Sequence, residues 1–258
     1  MPPIRELSAW NERRSDSQEQ VEPKRKYVFI CEGKNTEYYY FKELISHIEQ
    51  LKLHPLVDIC QWEKTGVDSG RSDPKALIAF AHQQKDSPSL SYSRDLDRVV
   101  IVFDADKYCR VGEGRKGSRE LRKEFEELLE MREPDDIYAV TNPSFELFLM
   151  LHRRDAFRDI VLPHERELLE NRKIGRRRFS QKLFTEEYGI NPKTNSAVGE
   201  LAIDVGVAIE EEKSLNHDIG RSLDVLTSNI GSTIDGIQRY TPEIENLAGL
   251  VCGVRESL

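Results

Sequence analysis

The sequence predicts an α/β fold: a parallel, Rossmann-like sheet with helices on both faces, followed by a C-terminal α-helical extension. Three observations lead there. Strand-like and helix-like segments alternate as βαβαβαβα between Lys26 and Leu151, the order that parallel crossovers need. Two of the strand segments, 27–31 and 99–103, are unbroken apolar runs, as buried strands are. Beyond Asp155 the strand signals vanish while helical patterns continue. The expected divisions are a mobile N-terminal arm (1–24), an α/β domain (25–154) and a helical extension (155–258).

The elements follow in order. The arm is polar, with one short helix expected over 4–10. The first strand, 27–31, runs into Glu32 and the turn residue Gly33. Thr36 reads as a helix N-cap, and Phe41, Leu44, Ile45 and Ile48 form the apolar face of a helix to about residue 53. The second strand covers 56–62, and a Gly- and Ser-containing loop covers 65–71. Asp73-Pro74 opens a helix to about Lys85, with proline at its first position. The third strand, 99–103, is the strongest and ends in Asp104-Ala105-Asp106. A charged loop (107–117) precedes a helix over 118–131, whose inward residues are Leu121, Phe125, Leu128 and Leu129. The fourth strand is 137–140, and Asn142-Pro143 starts a Phe- and Leu-rich helix over 144–151. Later helical patterns cover 175–188, 197–213 and 219–230. The crossovers should be right-handed.

Composition narrows the function classes. The net charge of -8 excludes nucleic-acid binding by bulk charge, so any such binding needs a local basic patch. Cys31, Cys60, Cys109 and Cys252 form no CxxC pair and have no histidine at zinc spacing, which argues against structural zinc and a disulfide scaffold. No apolar run is long enough for a membrane span and no secretory signal is evident, so a cytoplasmic, reduced protein is expected. Gly33-Lys34 is not a phosphate-binding P-loop, because Val28 stands where the first glycine is needed and Asn35 follows the lysine.

The chemistry-bearing residues lie at strand ends. In a parallel sheet, strands of the same sense end on one edge, so Glu32 and Asp104 become neighbours if their strands are adjacent, with Asp106 in the next turn. Clustered carboxylates repel unless a cation neutralises them. All-oxygen ligands favour Mg²⁺, with Mn²⁺ able to substitute. A carboxylate-held Mg²⁺ suits phosphodiester chemistry. A single strand-end acid is more often a cap or loop residue; it is the pairing of two such ends that points to metal.

The Glu32-Gly33 ending of one strand and the Asp104-x-Asp106 ending of another resemble the Toprim domain of topoisomerases, primases and nucleases. More narrowly, Cys31-Glu32-Gly33-x-x-Thr36-Glu37-x-x-Tyr40-Phe41, together with Asn142-Pro143-Ser144-Phe145-Glu146-Leu147-Phe148-Leu149-Met150-Leu151-His152, resembles the RloB-like family. The resemblance covers residues 26–152 and implies a Toprim-like fold and a role in phage defence by abortive infection, often beside an ATPase partner. It implies Glu32 as general base or metal ligand and Asp104 and Asp106 as Mg²⁺ ligands. Glu37 and Glu146 are further candidate ligands. Glu37 is equally served by the helix dipole; Glu146 lies among Phe and Leu, where a buried acid needs a partner. The sequence departs from many Toprim domains in placing Lys107-Tyr108-Cys109-Arg110, rather than an early glycine, after Asp106.

Basic residues cluster in three places: around Arg115 and Lys116, at Arg153, and most densely at Arg176, Arg177, Arg178 and Lys182. With Lys34, these are the candidate phosphate contacts. Many exposed basic residues simply pair with nearby glutamates, but residues 172–182 contain no acid. His152, at the end of the Phe- and Leu-rich helix, is expected to cap that helix or lie at the surface, with a place lining the site as the alternative. The leading reading is a Mg²⁺-dependent nuclease acting on DNA or RNA. The alternative is a non-catalytic nucleic-acid-binding or regulatory subunit docking on an ATPase partner, and polymerase or topoisomerase chemistry is a weaker third. No membrane partner is expected, and a homo-oligomer is compatible with either reading.

Overall fold

The computed structural model describes residues 25–33, 35–47, 51–55, 57–62, 73–87, 90–109, 117–194 and 196–241. The expected arm, the 65–71 loop, Lys34, Arg115, Lys116 and Cys252 lie outside them.

The fold is a Rossmann-like α/β architecture built on a five-stranded sheet of order β2-β1-β3-β4-β7. Strands β1 (Arg25–Cys31), β2 (Val57–Gln61), β3 (Arg98–Asp104) and β4 (Asp136–Asn142) are mutually parallel. Period-two alternation sends Tyr27, Phe29, Cys31, Val100 and Val102 to one face and Val28, Ile30, Val99, Ile101 and Phe103 to the other. The second face is covered by α2 (Pro74–Lys85) and α4 (Ser118–Glu130). The first is covered by α1 (Thr36–Ser46), α5 (Glu146–Met150) and residues from the C-terminal third, which join the same hydrophobic cluster. Both faces are buried, so the central strands β1 and β3 carry unbroken apolar runs, 27–31 and 99–103.

Several boundaries differ from expectation. The first helix ends at Ser46, and Asn35, not Thr36, precedes it; Thr36 Oγ1 donates instead to Pro192 O at 2.9 Å. The fourth-strand crossover helix is shortened to α5, after a cis Asn142–Pro143 peptide. The C-terminal third is not purely helical. Lys173–Ile174 (β5) and Arg177–Arg178 (β6) form a hairpin, turned by Gly175 at φ +63°, so the helix that follows, α7 (Phe179–Tyr188), begins only at Phe179. Thr227–Ser228 (β7) pairs antiparallel with β4, interrupting the helix expected over 219–230. Strands of two residues carry no readable periodicity, and a tertiary partner decides them.

The other C-terminal helices are α6 (Glu165–Glu170), α8 (Val205–Glu212) and α9 (Ile230–Arg239). A 3-10 segment, Ser196–Asp204, runs along α1. The contact is close enough that a Cβ on Gly199 would stand 2.8 Å from Tyr39 O. This packing holds the chain after α7 against the start of α1. Among the described residues, no helix is long and apolar enough to cross a membrane.

Candidate active site

The strand order reverses direction between β1 and β3, and a parallel sheet opens a ligand crevice at that point, beyond the carboxyl ends of the strands. Glu32 follows β1 and its N–H still reaches Val102 O at 3.0 Å. Its Oε2 accepts from Asp104 N at 3.3 Å, at the end of β3. The Asp104 Oδ1 in turn accepts from Thr141 Oγ1 of β4 at 2.6 Å. Side chains on three neighbouring strand ends are thereby linked.

Asp106 opens the short helix α3 (Asp106–Cys109) and lines the same cleft. Glu37 is buried in the first turn of α1, beneath Gly33, whose missing side chain makes room for it: a Cβ there would collide with the Glu37 carboxylate. Glu146, the first residue of α5, is 1% exposed, and neither of its oxygens accepts a hydrogen bond from the described residues. Burial, and then the charges of Glu37, Glu32 and Glu146, push the Asp104 carboxyl well above its ordinary range, against the opposing Thr141 hydrogen bond. Four of the expected acids therefore share one electrostatic environment.

The cleft has a volume of about 370 Å³, and residues of the β5–β6 hairpin contribute to its lining. Lys173, Arg176, Arg177 and Arg178 line it together with Glu32, Asp104, Asp106 and Glu146. The arginine run thus joins the acids although over seventy residues separate Arg176 from Asp104. Lys182 and Arg153 are not among the lining residues; they pair with Glu186 at 3.4 Å and Glu187 at 3.0 Å.

Lys193 lacked any sequence signal. It lies in the turn after α7, and its Nζ stands 3.4 Å from Glu146 Oε1. Burial works against charge on Lys193, but Glu146, Glu37 and Asp104 outweigh it and hold the ammonium above its ordinary range. Only an Asn191-Pro192 turn marks the place in sequence, and nothing local ties it to residues 35–37.

A second acidic group lies at the other end of the sheet. Atoms of His82, Glu133 and Asp136 fall within 4.8 Å of one another, a spacing the strand-end acids do not reach among the described residues. The Lys85 ammonium already fills that role, at 2.6 Å from Asp136, 2.9 Å from Asp135 and 3.0 Å from Glu133. The group is a buried ion-pair network under α2.

His152 is neither a cap nor a surface residue. It is buried, with Nδ1 at 3.1 Å from Leu149 O and Nε2 at 2.9 Å from Tyr40 Oη. The carbonyl can only accept, so Nδ1 carries the proton and Nε2 accepts from the tyrosine. Burial pulls its pKa down to about 4. The unfolded chain, with a value of about 6.5, therefore takes up a proton first on acidification. The associated stability is complete above about pH 6.5 and falls by roughly 3 kcal/mol as pH drops toward 4. Urea unfolding of His152→Gln across that range should show a flatter pH profile than wild type; parallel profiles would refute the assignment.

A family model described as RloB-like protein matches residues 27–237. The chain belongs to the RloB-like family. The match runs through the sheet, the acidic strand ends, the arginine hairpin and α9, so the C-terminal third is part of what defines this RloB-like chain. No curated protein and no solved structure matches it.

Proposed function

We propose that this RloB-like chain is a Mg²⁺-dependent, Toprim-type nuclease that hydrolyses phosphodiester bonds in DNA or RNA, in the cytoplasm and in phage defence by abortive infection. The observation that carries the reading is the cleft that strand-end carboxylates line together with Lys173 and Arg176–Arg178. Carboxylates suit a cation and guanidinium groups suit phosphate, and a phosphodiester site needs both.

The residues fit a hard cation. Among the described residues the Glu146 oxygens accept no well-formed hydrogen bond, the Lys193 ammonium standing 3.4 Å from Oε1, and Asp104 is destabilised as an anion by burial and by its acidic neighbours. Mg²⁺ keeps several waters and uses one or two direct carboxylates, so it does not require three of these acids to converge, which among the described residues they do not. Asp104 and Asp106 would hold it, with Glu32, Glu37 and Glu146 as the surrounding acids. When bound, Mg²⁺ supplies charge stabilisation at the phosphate oxygens and a more acidic water. The chain's own groups do the rest: Arg176, Arg177 and Arg178 hold backbone phosphates, and Glu32 accepts the proton of the attacking water. Partner docking with an ATPase rests on the family resemblance.

The wide carboxylate spacing also favours a second reading, a nucleic-acid-binding or regulatory subunit without cleavage. Incubation with supercoiled DNA, single-stranded DNA and total transfer RNA, with Mg²⁺, Mn²⁺ or chelator, separates the two. Cleavage of one class that needs metal and falls about a hundredfold or more in Glu32→Gln is expected. Absence of cleavage, alone and with a co-expressed ATPase neighbour, would leave the binding subunit.

A further inference from the structure

Glu146 is the most deeply buried of the strand-end acids, and a carboxylate in that position needs a positive partner. Its oxygens are sealed from solvent and accept no hydrogen bond from the described residues, and the charge that reaches them is the Lys193 ammonium at 3.4 Å. The lysine arrives on a turn pinned to the first residues of α1. Asn35 Nδ2 donates to Lys193 O and Thr36 Oγ1 donates to Pro192 O, each at 2.9 Å. That pinning sets the backbone beside the first turn of α1, which carries Glu37, through carbonyl groups and not through the lysine side chain. The lysine side chain is 46% exposed, so it can swing out without unpacking the core.

We propose that Lys193 is the built-in counter-ion of this acidic site and competes with a divalent cation for Glu146. The inference rests on the metal-centre reading above and adds its regulation. With the lysine in place, one of the carboxylate charges, that of Glu146, is offset in the metal-free protein, while the remaining acids still repel one another. A divalent ion reaching Glu146 meets a like charge and must displace it, and the released ammonium then lies in a cleft already suited to phosphate. Metal occupancy would thereby be coupled to an anionic substrate that gives Lys193 another partner.

The test titrates Mn²⁺ alone into the full chain, by calorimetry and by the electron paramagnetic resonance of the free ion. Lys193→Met should bind Mn²⁺ about tenfold more tightly than wild type, because one repelling unit charge is gone, and charge-retaining Lys193→Arg should stay near wild type. In chelator, Lys193→Met should melt below wild type, and saturating Mn²⁺ should remove the deficit. If Lys193→Met does not fold, Lys193→Gln carries the same comparison. Equal or weaker Mn²⁺ binding in the neutral variant would overturn the counter-ion role and leave the metal centre standing. No Mn²⁺ binding in wild type or variants would overturn both.

Discussion

Asp104→Asn should abolish metal-dependent cleavage, by about a thousandfold or more, while making the metal-free protein more stable. The two effects have one cause. Asp104 lies at the centre of the acidic group: burial and the charges of Glu37, Glu32 and Glu146 all disfavour its ionised form. An asparagine has nearly the same shape, and its Oδ1 can still accept from Thr141 Oγ1, so the strand-end geometry survives. Removing the negative charge relieves repulsion in the chelated protein, and a melting temperature higher by roughly 2–4 °C is expected, corresponding to about 1 kcal/mol in a chain of this size. The same change removes an anionic ligand from the site. Cleavage assays and thermal melts of one preparation check both halves. An inactive variant with an unchanged or lower melting temperature would mean that the acids are not in mutual conflict. A more stable but fully active one would remove Asp104 from the chemistry.

Glu212→Ala should cost about 2–4 kcal/mol of stability, from the loss of a cap and the exposure of unsatisfied donors. Glu212 ends α8 and is fully buried. Its Oε1 accepts from Ser228 Oγ at 2.5 Å and from Gly231 N at 2.9 Å, and its Oε2 accepts from Ser232 N at 2.7 Å. The last two are first-turn N–H groups of α9, whose own preceding residue, Asn229, makes no cap and bonds instead to Val140 N and Tyr138 O of β4. The carboxylate thus replaces a local cap and interacts with the positive end of the helix. Gly231 is required beside it, because a Cβ there would lie 2.9 Å from Glu212 Oε2. Alanine leaves two buried donors, Ser228 Oγ and Gly231 N, and the part-buried Ser232 N without this acceptor. Urea denaturation should show a lower midpoint at unchanged m-value, with Glu212→Gln recovering part of the loss. A midpoint equal to wild type would show that α9 does not depend on this carboxylate.

The sequence alone determined the four parallel strands, the helices between them and the acids at their ends. Those signals are local: apolar runs of strand length, a proline-opened helix, and carboxylates placed where an apolar run stops. Parallel topology then sends Glu32 and Asp104 to one edge once β1 and β3 pair, and the apolar surroundings of Glu146 already marked an acid in need of a partner. Tertiary structure decided the remainder. The Arg176–Arg178 run was visible as charge but read as helix, because a two-residue hairpin has no period of its own. Its place in the same cleft as the acids depends on the path of α6 and α7. Lys193 reaches Glu146 through a turn held on α1, and Glu212, the last of three consecutive glutamates, caps a helix eighteen residues further on. Each joins residues distant in the chain, and at the buried carboxylates of Glu146 and Glu212 the energy that selects the contact is a desolvated charge finding a partner, which exists only after the core has formed.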